Sequence, residues 1–79
     1  MVRNSKLRNR ILILVTEKER NLGRRITQKE IAQNIGVSEQ LIGRWMKNKV
    51  KQFDGETIEK LCAYFNCDVG ELLYIDRSN

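Results

Sequence analysis

Apolar residues recur at helical spacing in five separate stretches of this 79-residue chain, and polar segments lie between them. The first stretch extends from about residue 6 to residue 20, with apolar positions at i, i+4, i+7 and i+8: Leu7, Ile11, Leu14 and Val15. The run Ile-Leu-Ile-Leu-Val at 11–15 also suits a buried strand, because β-branched residues favour strands. We favour a helix, since the pattern offers no second strand to pair with the run and long charged segments flank it.

Two short amphipathic stretches follow, at about residues 28–35 and 39–47. Thr27 and Glu30 have the spacing of a capping box, in which the hydroxyl accepts a backbone N–H and the carboxylate reaches back to the N-cap. Ser38 can cap the second stretch in the same way. The spacing therefore predicts two short helices with a turn of three to four residues between them.

The turn between these helices holds Gly36 and Val37. Gly36 stands where the first helix must stop, and glycine adopts the left-handed conformation at little steric cost. The apolar positions on either side face inward at helical spacing: Ile31, Ala32, Ile35, Leu41, Ile42 and Trp45. A tight pair of this kind is a helix-turn-helix, whose second helix is built to enter the major groove of DNA.

A polar stripe follows the outer side of the second helix. Gln40, Gly43, Arg44 and Lys47 recur at i, i+3, i+4 and i+7, and Glu39 stands beside them at the N-terminal end. Gln and Arg can make bidentate contacts to adenine and guanine edges. We interpret the stripe as a DNA-reading surface, and an ordinary solvated face is the alternative.

The fourth helix is expected to begin after Asp54 as N-cap and to end near Asn66, which tolerates the left-handed position. Its apolar residues make a core stripe: Ile58, Leu61, Cys62 and Phe65. A fifth helix is predicted from Asp68 and Glu71, which have capping-box spacing. We expect it to bury three residues: Val69, Leu72 and Leu73.

Residues 27–49 and 53–73 together resemble the Cro/repressor family, also called the xenobiotic-response-element family, which includes the phage lambda and 434 repressors. The motifs that carry the resemblance are Thr27-Gln28-x-Glu30, Ala32, Gly36-Val37-Ser38, Ile42, Leu61 and Glu71-Leu72-Leu73. The resemblance implies an all-α, compact five-helix repressor-like domain with the helix-turn-helix in helices 2 and 3. It also implies a sequence-specific DNA-binding regulator that acts as a repressor. The loop at 21–26 is longer than is usual for the family, which leaves its course open.

The resemblance places the base-reading positions on helix 3: Glu39, Gln40, Gly43, Arg44 and Lys47. Arg44 suits guanine, Gln40 suits adenine, and Glu39 can accept from cytosine. Gly43 departs from the family, in which a larger polar residue is common there. Either the backbone approaches DNA closely at Gly43 or one base pair is left unread.

Other positions are expected to hold the DNA backbone. Gln28 matches the family's phosphate-clamping glutamine, and the full set of predicted phosphate contacts is Thr27, Gln28, Lys29, Ser38, Lys49 and Lys51. Such contacts position a protein without reading sequence. Arg3 and Lys6 could form an arm in an adjacent minor groove, or belong to a terminus that contacts nothing.

The net charge of +5 is unevenly distributed along the chain. Residues 1–53 hold 13 Lys/Arg against 4 Asp/Glu, whereas residues 54–79 hold 2 against 6. A basic half and an acidic half suggest one face for an anionic polymer and another turned away from it. RNA fits less well, because most of the few aromatic residues are expected to be buried.

The length and composition of the chain limit which other functions we expect. The length suits a single domain, 1–79, with a polar arm at 1–5 and a polar tail at 76–79. The chain has no His, so a Ser–His or Cys–His nucleophile cannot be assembled, and Cys62 with Cys67 would lack further zinc ligands. We expect no enzyme activity, cofactor, metal or small-molecule ligand. With no apolar run long enough for a membrane span or signal peptide, a cytoplasmic protein, prokaryotic or phage and nucleoid-associated, is expected.

The expected partner is double-stranded DNA, bound by a homodimer at least when on DNA. One recognition helix reads only a few base pairs, and a genome demands more discrimination than that. Tyr74 and Ile75 extend the apolar C-terminal end and could form a self-association surface, or could simply cover the core edge. The alternative function is a protein-interaction module, such as an antitoxin or adaptor, which exposed apolar side chains at Trp45, Met46, Tyr74 or Ile75 would favour.

Overall fold

A computed structural model of the protein describes residues 6–50 and 52–77. Five helices and two short strands follow one another in the order β1 (Lys6–Asn9), α1 (Ile11–Leu22), α2 (Gln28–Ile35), α3 (Glu39–Met46), α4 (Gly55–Phe65), α5 (Val69–Leu72) and β2 (Leu73–Asp76). The five predicted helices are therefore confirmed, and the bounds of α2 coincide with those predicted.

The all-α prediction needs correction, because β1 and β2 pair as a two-stranded antiparallel ribbon. Lys6 lies opposite Asp76, and Asn9 lies opposite Leu73. The first helix begins at Ile11 and not near residue 6, and the 11–15 run is helical as preferred. Each strand has only four residues, and its partner lies at the other end of the chain, so no local pattern signals the pairing.

A small apolar core joins the helices. Its buried side chains come from all five helices and from the loop before α2: Ile11, Val15, Ile26, Ile31, Ala32, Ile35, Ile42, Trp45, Leu61 and Leu72. Helix α2 packs against α3 and α4, and α4 also contacts α1 and α5. The predicted core stripe of α4 is confirmed: Leu61 is fully buried, and its neighbours Ile58, Cys62 and Phe65 pack against the core.

Two residues of the predicted apolar stripes, Val69 and Leu7, are exposed, and Leu73 is half-buried against the core. Val69 is 54% exposed, because α5 is a single turn of four residues that directs only Leu72 fully inward. Leu73 belongs to β2 and is half-buried. Leu7, expected on the first helix, lies in β1 and is 42% exposed.

The loop between α1 and α2 folds back on both helices. Gly23 ends α1 with a left-handed φ of 70°, and Ile26 is buried. The carboxylate of Glu19 accepts the Ile26 N–H at 2.7 Å, and Arg24 donates to both carboxylate oxygens of Glu30 at 2.9 and 2.7 Å. These bonds define the loop course that the sequence left open.

The predicted ends of α4 and α5 are confirmed. Asp54 caps α4 by accepting the Thr57 N–H at 3.3 Å, and Asn66 ends it with a left-handed φ of 53°. At the start of α5, the Glu71 carboxylate accepts the Asp68 N–H at 2.8 Å. No helix among the described residues is sufficiently long and apolar to cross a lipid bilayer.

The two cysteines are free and half-buried beside the α4–α5 connection. Burial raises the pKa of the Cys67 thiol to about 11, and the neighbouring Cys62 adds to the shift. A thiol that stays protonated at neutral pH is a poor nucleophile and a poor metal ligand. Among the described residues, no three potential His, Cys, Asp or Glu ligands lie close enough together to hold a metal ion.

Candidate nucleic-acid interface

The start of α2 is held by Thr27, as predicted, but by half of a capping box. The Thr27 hydroxyl accepts the Glu30 N–H at 3.0 Å. The Glu30 carboxylate does not return to the N-cap, because it is bonded to Arg24. That bond lowers the pKa of Glu30, and it raises the pKa of Arg24 in turn. An arginine fork therefore replaces the second bond of the box.

The turn that follows α2 has the predicted geometry. Gly36 adopts φ 77°, and the N–H groups of Gly36 and Val37 both donate to the Ala32 carbonyl, at 2.8 and 3.1 Å. The Ser38 hydroxyl accepts the Leu41 N–H at 3.1 Å and begins α3. A left-handed glycine and a serine cap thus set the angle between α2 and α3 within three residues.

Helix α3 divides into the two predicted faces. Ile42 and Trp45 are buried, and Leu41 packs against the core. The opposite face exposes three of the predicted base-reading side chains, Gln40, Arg44 and Lys47, with exposed Glu39 beside them. A shallow open groove runs along this face and is lined by Gln28, Glu39, Gln40, Gly43, Arg44, Lys47 and Lys49.

Gly43 is one of the residues that line that groove, and the side chain nearest to it is that of Gln28. A Cβ atom at Gly43 would lie 3.2 Å from the side-chain oxygen of Gln28, tighter than ordinary van der Waals contact. The carboxamide of Gln28, from the first turn of α2, therefore occupies the space that a larger residue at this position would fill. Gln28 is itself exposed.

The cations of this face have no charged partner within the described part of the chain. The ion pairs found there join Arg8 to Asp76, Arg24 to Glu30 and Lys60 to Glu56. None of them involves the groove's Arg44, Lys47 or Lys49, or the exposed Lys29 at the start of α2. The positive charge of the groove is consequently available to an external anion.

Some of the remaining predicted contact residues lie outside the described part of the chain. Lys49 is exposed just beyond α3, whereas Lys51 lies outside the described residues. Of the suggested minor-groove arm, Arg3 also lies outside the described residues. Lys6 begins β1 opposite Asp76, so its backbone belongs to a strand and not to a free arm.

Sequence reasoning missed two polar residues at the C-terminal end of α3. Asn9, at the end of β1, and Asn48, just after α3, are joined by hydrogen bonds although 39 positions separate them. The available signal was that Asn48 follows a predicted helix and that Asn adopts the left-handed region more readily than most residues. Nothing in the local pattern pointed to Asn9.

Comparison with known proteins agrees with the geometry. Residues 22–77 match the Cro/C1-type HTH DNA-binding domain. A solved crystal structure from Bacteroides fragilis, described provisionally as a DNA-binding protein, shares 30% identity at a TM-score of 0.69; the match covers 87% of this chain and all of the other. No curated protein matches the chain. With the matched region covering most of the sequence, and with its helix-turn-helix in place, the protein belongs to the family of Cro/C1-type helix-turn-helix DNA-binding domains.

Proposed function

We propose that this protein is a sequence-specific regulator that binds double-stranded DNA, acts as a repressor and reads the major groove with α3. The observation that carries the proposal is the outer face of α3. Gln40, Arg44 and Lys47 project there with no hydrogen bond or ion pair from their side chains within the described residues. Exposed polar side chains on the second helix of such a pair can form hydrogen bonds with base edges.

Each residue of that face has a distinct proposed role. Arg44 donates to guanine in bidentate fashion, Gln40 pairs with adenine, and Glu39 accepts from the amino group of cytosine. Lys47 lies one turn further and adds a contact at the end of the half-site. Gly43 has no side chain with which to read a base, and the carboxamide of Gln28, a proposed phosphate contact, lies beside it.

The phosphate contacts are proposed for the residues around the N-termini of α2 and α3 and beyond the end of α3: Thr27, Gln28, Lys29, Ser38, Lys49 and Lys51. The hydroxyls of Thr27 and Ser38 accept backbone N–H groups, so their own protons are free to bond phosphate oxygens. The positive end of the α2 dipole adds to this attraction.

In vitro selection of duplexes from a random pool tests the proposal, followed by affinity measurements on the selected duplex. Arg44→Ala should lose about 1–3 kcal/mol of binding free energy and relax the preference at one base pair. Lys49→Ala is the matched control, because loss of a phosphate contact weakens all sequences alike and reduces the salt slope by about 1. An Arg44→Ala protein with unchanged affinity and preferred sequence would contradict the assignment.

We also propose that the protein binds DNA as a homodimer. The two residues of the predicted surface differ in exposure. The Tyr74 ring is half-buried, with the Arg10 guanidinium 4.3 Å from its centroid, whereas Ile75 is 45% exposed beside Leu7. Ile75→Asp therefore probes the surface without disturbing the ring. We expect cooperative binding of two proteins to a palindromic site, with cooperativity reduced in the variant. One protein per palindrome at saturation would contradict the dimer.

The alternative is a protein-interaction module on the same fold. Ile75 and Leu7 favour it, because both are exposed on one face of the ribbon. Trp45, whose exposure would also have favoured it, is instead buried, and Met46 packs against the core. A random-pool selection that enriches no sequence, together with loss of a protein partner in Ile75→Asp, would favour this function over DNA reading.

A further inference from the structure

Asn9 is a buried polar residue, 5% exposed, which forms hydrogen bonds with three other residues: Ile11, Trp45 and Asn48. Its side-chain oxygen accepts the Ile11 N–H at 3.0 Å, and so serves the start of α1. Its side-chain nitrogen donates to the Trp45 carbonyl at 3.0 Å, in the last turn of α3. Its backbone N–H and carbonyl both face Asn48. One residue of β1 therefore joins the first helix to the recognition helix.

Asn48 completes that junction from the other side. Its side-chain oxygen accepts the Asn9 N–H at 2.7 Å, and its side-chain nitrogen donates to the Asn9 carbonyl at 3.3 Å. A carboxamide that both accepts from and donates to one residue's backbone imitates the pairing that a neighbouring strand would supply. Asn48 thus closes the outer edge of β1 at its last residue.

Asn48 also ends α3. It adopts a left-handed φ of 57°, its N–H donates to the Trp45 carbonyl at 3.1 Å, and the Lys49 N–H donates to the Arg44 carbonyl at 2.9 Å. This is the bonding pattern of a Schellman motif, in which glycine is the usual left-handed residue. Glycine would end the helix equally well, so the helix end alone does not require a carboxamide.

Asn66 provides the internal comparison. It too ends a helix in the left-handed region, with φ 53°, but its side chain makes no hydrogen bond within the described residues. The two asparagines share a backbone role, and Asn48 has a long-range side-chain role in addition.

We infer that Asn9 and Asn48 are positioning residues for DNA reading, which fix the last turn of α3 against the terminal ribbon. The inference rests on the proposed DNA-reading function. Arg44 and Lys47 lie in or just beyond that last turn, and a reading side chain must stay within about 0.5 Å of its productive position. An eight-residue helix is marginal in isolation and frays at its ends, so a tertiary anchor there decides how well the turn is ordered.

The ribbon has bonds of its own to the rest of the fold, which make it a suitable anchor. Arg8 pairs with Asp76 at 3.0 Å across the two strands, and the Arg10 N–H donates to the Leu72 carbonyl at 2.8 Å. The last turn of α3 is therefore bonded to a ribbon formed by both ends of the described chain, and does not depend on packing against α2 alone.

The test compares Asn48→Gly with its matched control, Asn66→Gly. Both keep a left-handed backbone, and both increase the flexibility of the unfolded chain equally. Affinity is measured on the duplex selected with the wild-type protein and on a scrambled duplex of the same composition. We expect Asn48→Gly to bind the selected duplex about ten-fold more weakly, because binding must then order the last turn of α3 without two hydrogen bonds. Scrambled-duplex affinity and the salt slope should stay unchanged, and Asn66→Gly should match the wild type throughout.

Asn9→Ala gives a second line of evidence, because a residue so buried cannot touch DNA. It should lower the ratio of selected to scrambled affinity in the same way. The two substitutions remove different bonds of the junction: Asn9→Ala removes the bond to the Trp45 carbonyl, whereas Asn48→Gly removes the two bonds to the Asn9 backbone. An equal loss on both duplexes, or an Asn48→Gly affinity within two-fold of the wild type, would overturn the inference.

Hydrogen exchange separates this inference from the proposed function. In free protein, the Lys47 and Lys49 amides should exchange about ten-fold faster in Asn48→Gly than in Asn66→Gly, in line with the loss of two hydrogen bonds. A wild-type protein that enriches no duplex would refute the proposed function, yet the exchange rates would still show whether Asn48 holds the end of α3. Equal exchange rates in the two variants would overturn that role.

Discussion

The two ends of α3, the proposed recognition helix, are held by bonds of different range. At its N-terminus, the Ser38 hydroxyl bonds the Leu41 N–H three residues ahead, and the turn before it is closed by Gly36. At its C-terminus, the local bonds of the Schellman motif are joined by one from the Asn9 side chain to the Trp45 carbonyl, 36 positions away. The local bonds can form as soon as α3 forms, whereas the Asn9 bond requires β1 to be in place.

This difference divides the proposed reading face into two parts. Glu39 and Gln40 lie at the locally held end, and Arg44 and Lys47 lie at the end that depends on the ribbon. Local unfolding of the ribbon is consequently expected to affect Arg44, the proposed guanine contact, before Gln40, the proposed adenine contact. A substitution in the core should weaken both ends together, and substitutions at Asn9 or Gly36 should weaken one end each.

Leu61→Ala should weaken both ends at once and have the largest effect. Leu61 is fully buried on α4, which packs against α1 and α2. Truncation leaves a cavity in a small core, and we expect a loss of about 2–5 kcal/mol in the free energy of unfolding. Urea denaturation measures it, with Leu12→Ala on the exposed side of α1 as control, expected within about 0.5 kcal/mol of the parent. A Leu61→Ala protein as stable as that control would show that this core does not unite the two ends.

Asn9→Ala should weaken the long-range end and leave the Ser38 end intact. We expect a loss of about 1–3 kcal/mol in the free energy of unfolding, because the Trp45 carbonyl loses its long-range donor and the buried Ile11 N–H loses its acceptor. Asn34→Ala is the control: its side chain also bonds a backbone carbonyl, that of Glu30, but at an exposed site. Denaturation of both variants under one condition gives the comparison. Equal losses would mean that burial at Asn9 contributes nothing.

Gly36→Ala should weaken the short-range end. A Cβ at Gly36 would meet no atom within 4 Å, so the expected loss of about 1–2 kcal/mol comes from the left-handed backbone alone. Gly70→Ala in α5 is the matched control, because it is equally open but has no positive φ; it should be neutral or slightly stabilising. Thermal unfolding of the pair decides the point, and a destabilised Gly70→Ala with an unaffected Gly36→Ala would contradict it.

The same difference in range explains what the sequence could predict. The bounds of α2, the caps at Thr27 and Ser38, and the left-handed Gly36 were all predicted, because each depends on residues at most four apart. The ribbon was not, because Asn9 and Leu73 are brought together only by the folded core. The predicted start of α1 was wrong for the same reason, because residues 6–9 belong to the ribbon. The predicted burial of Val69 was wrong because α5 is a single turn that directs only Leu72 fully inward.

The candidate site divides in the same way. The outward face of α3 follows from a period of 3.6 residues and was predicted from the sequence. The position of the Gln28 carboxamide beside Gly43 depends on how α2 packs against α3, and the Asn9–Asn48 junction depends on the ribbon. Periodicity identifies which side chains face outward, but not which neighbours fill the space between them.

The smallest expected effect concerns the fork between Arg24 and Glu30, a second short-range bond that holds the loop before α2. The hydrogen bond from Arg24 lowers the pKa of Glu30 below its ordinary 4.5. Folding thus favours the ionised carboxyl, and the stabilisation is fully present above that ordinary value and lost as the pH falls through the lower folded value. The difference in unfolding free energy between the wild type and Glu30→Gln should therefore be small at pH 7 and smaller still near pH 3. Because the pair is exposed, about 1 M salt should reduce the pH 7 difference as well. A difference that grows on acidification, or that salt leaves untouched, would show that the fork does not stabilise this loop through charge.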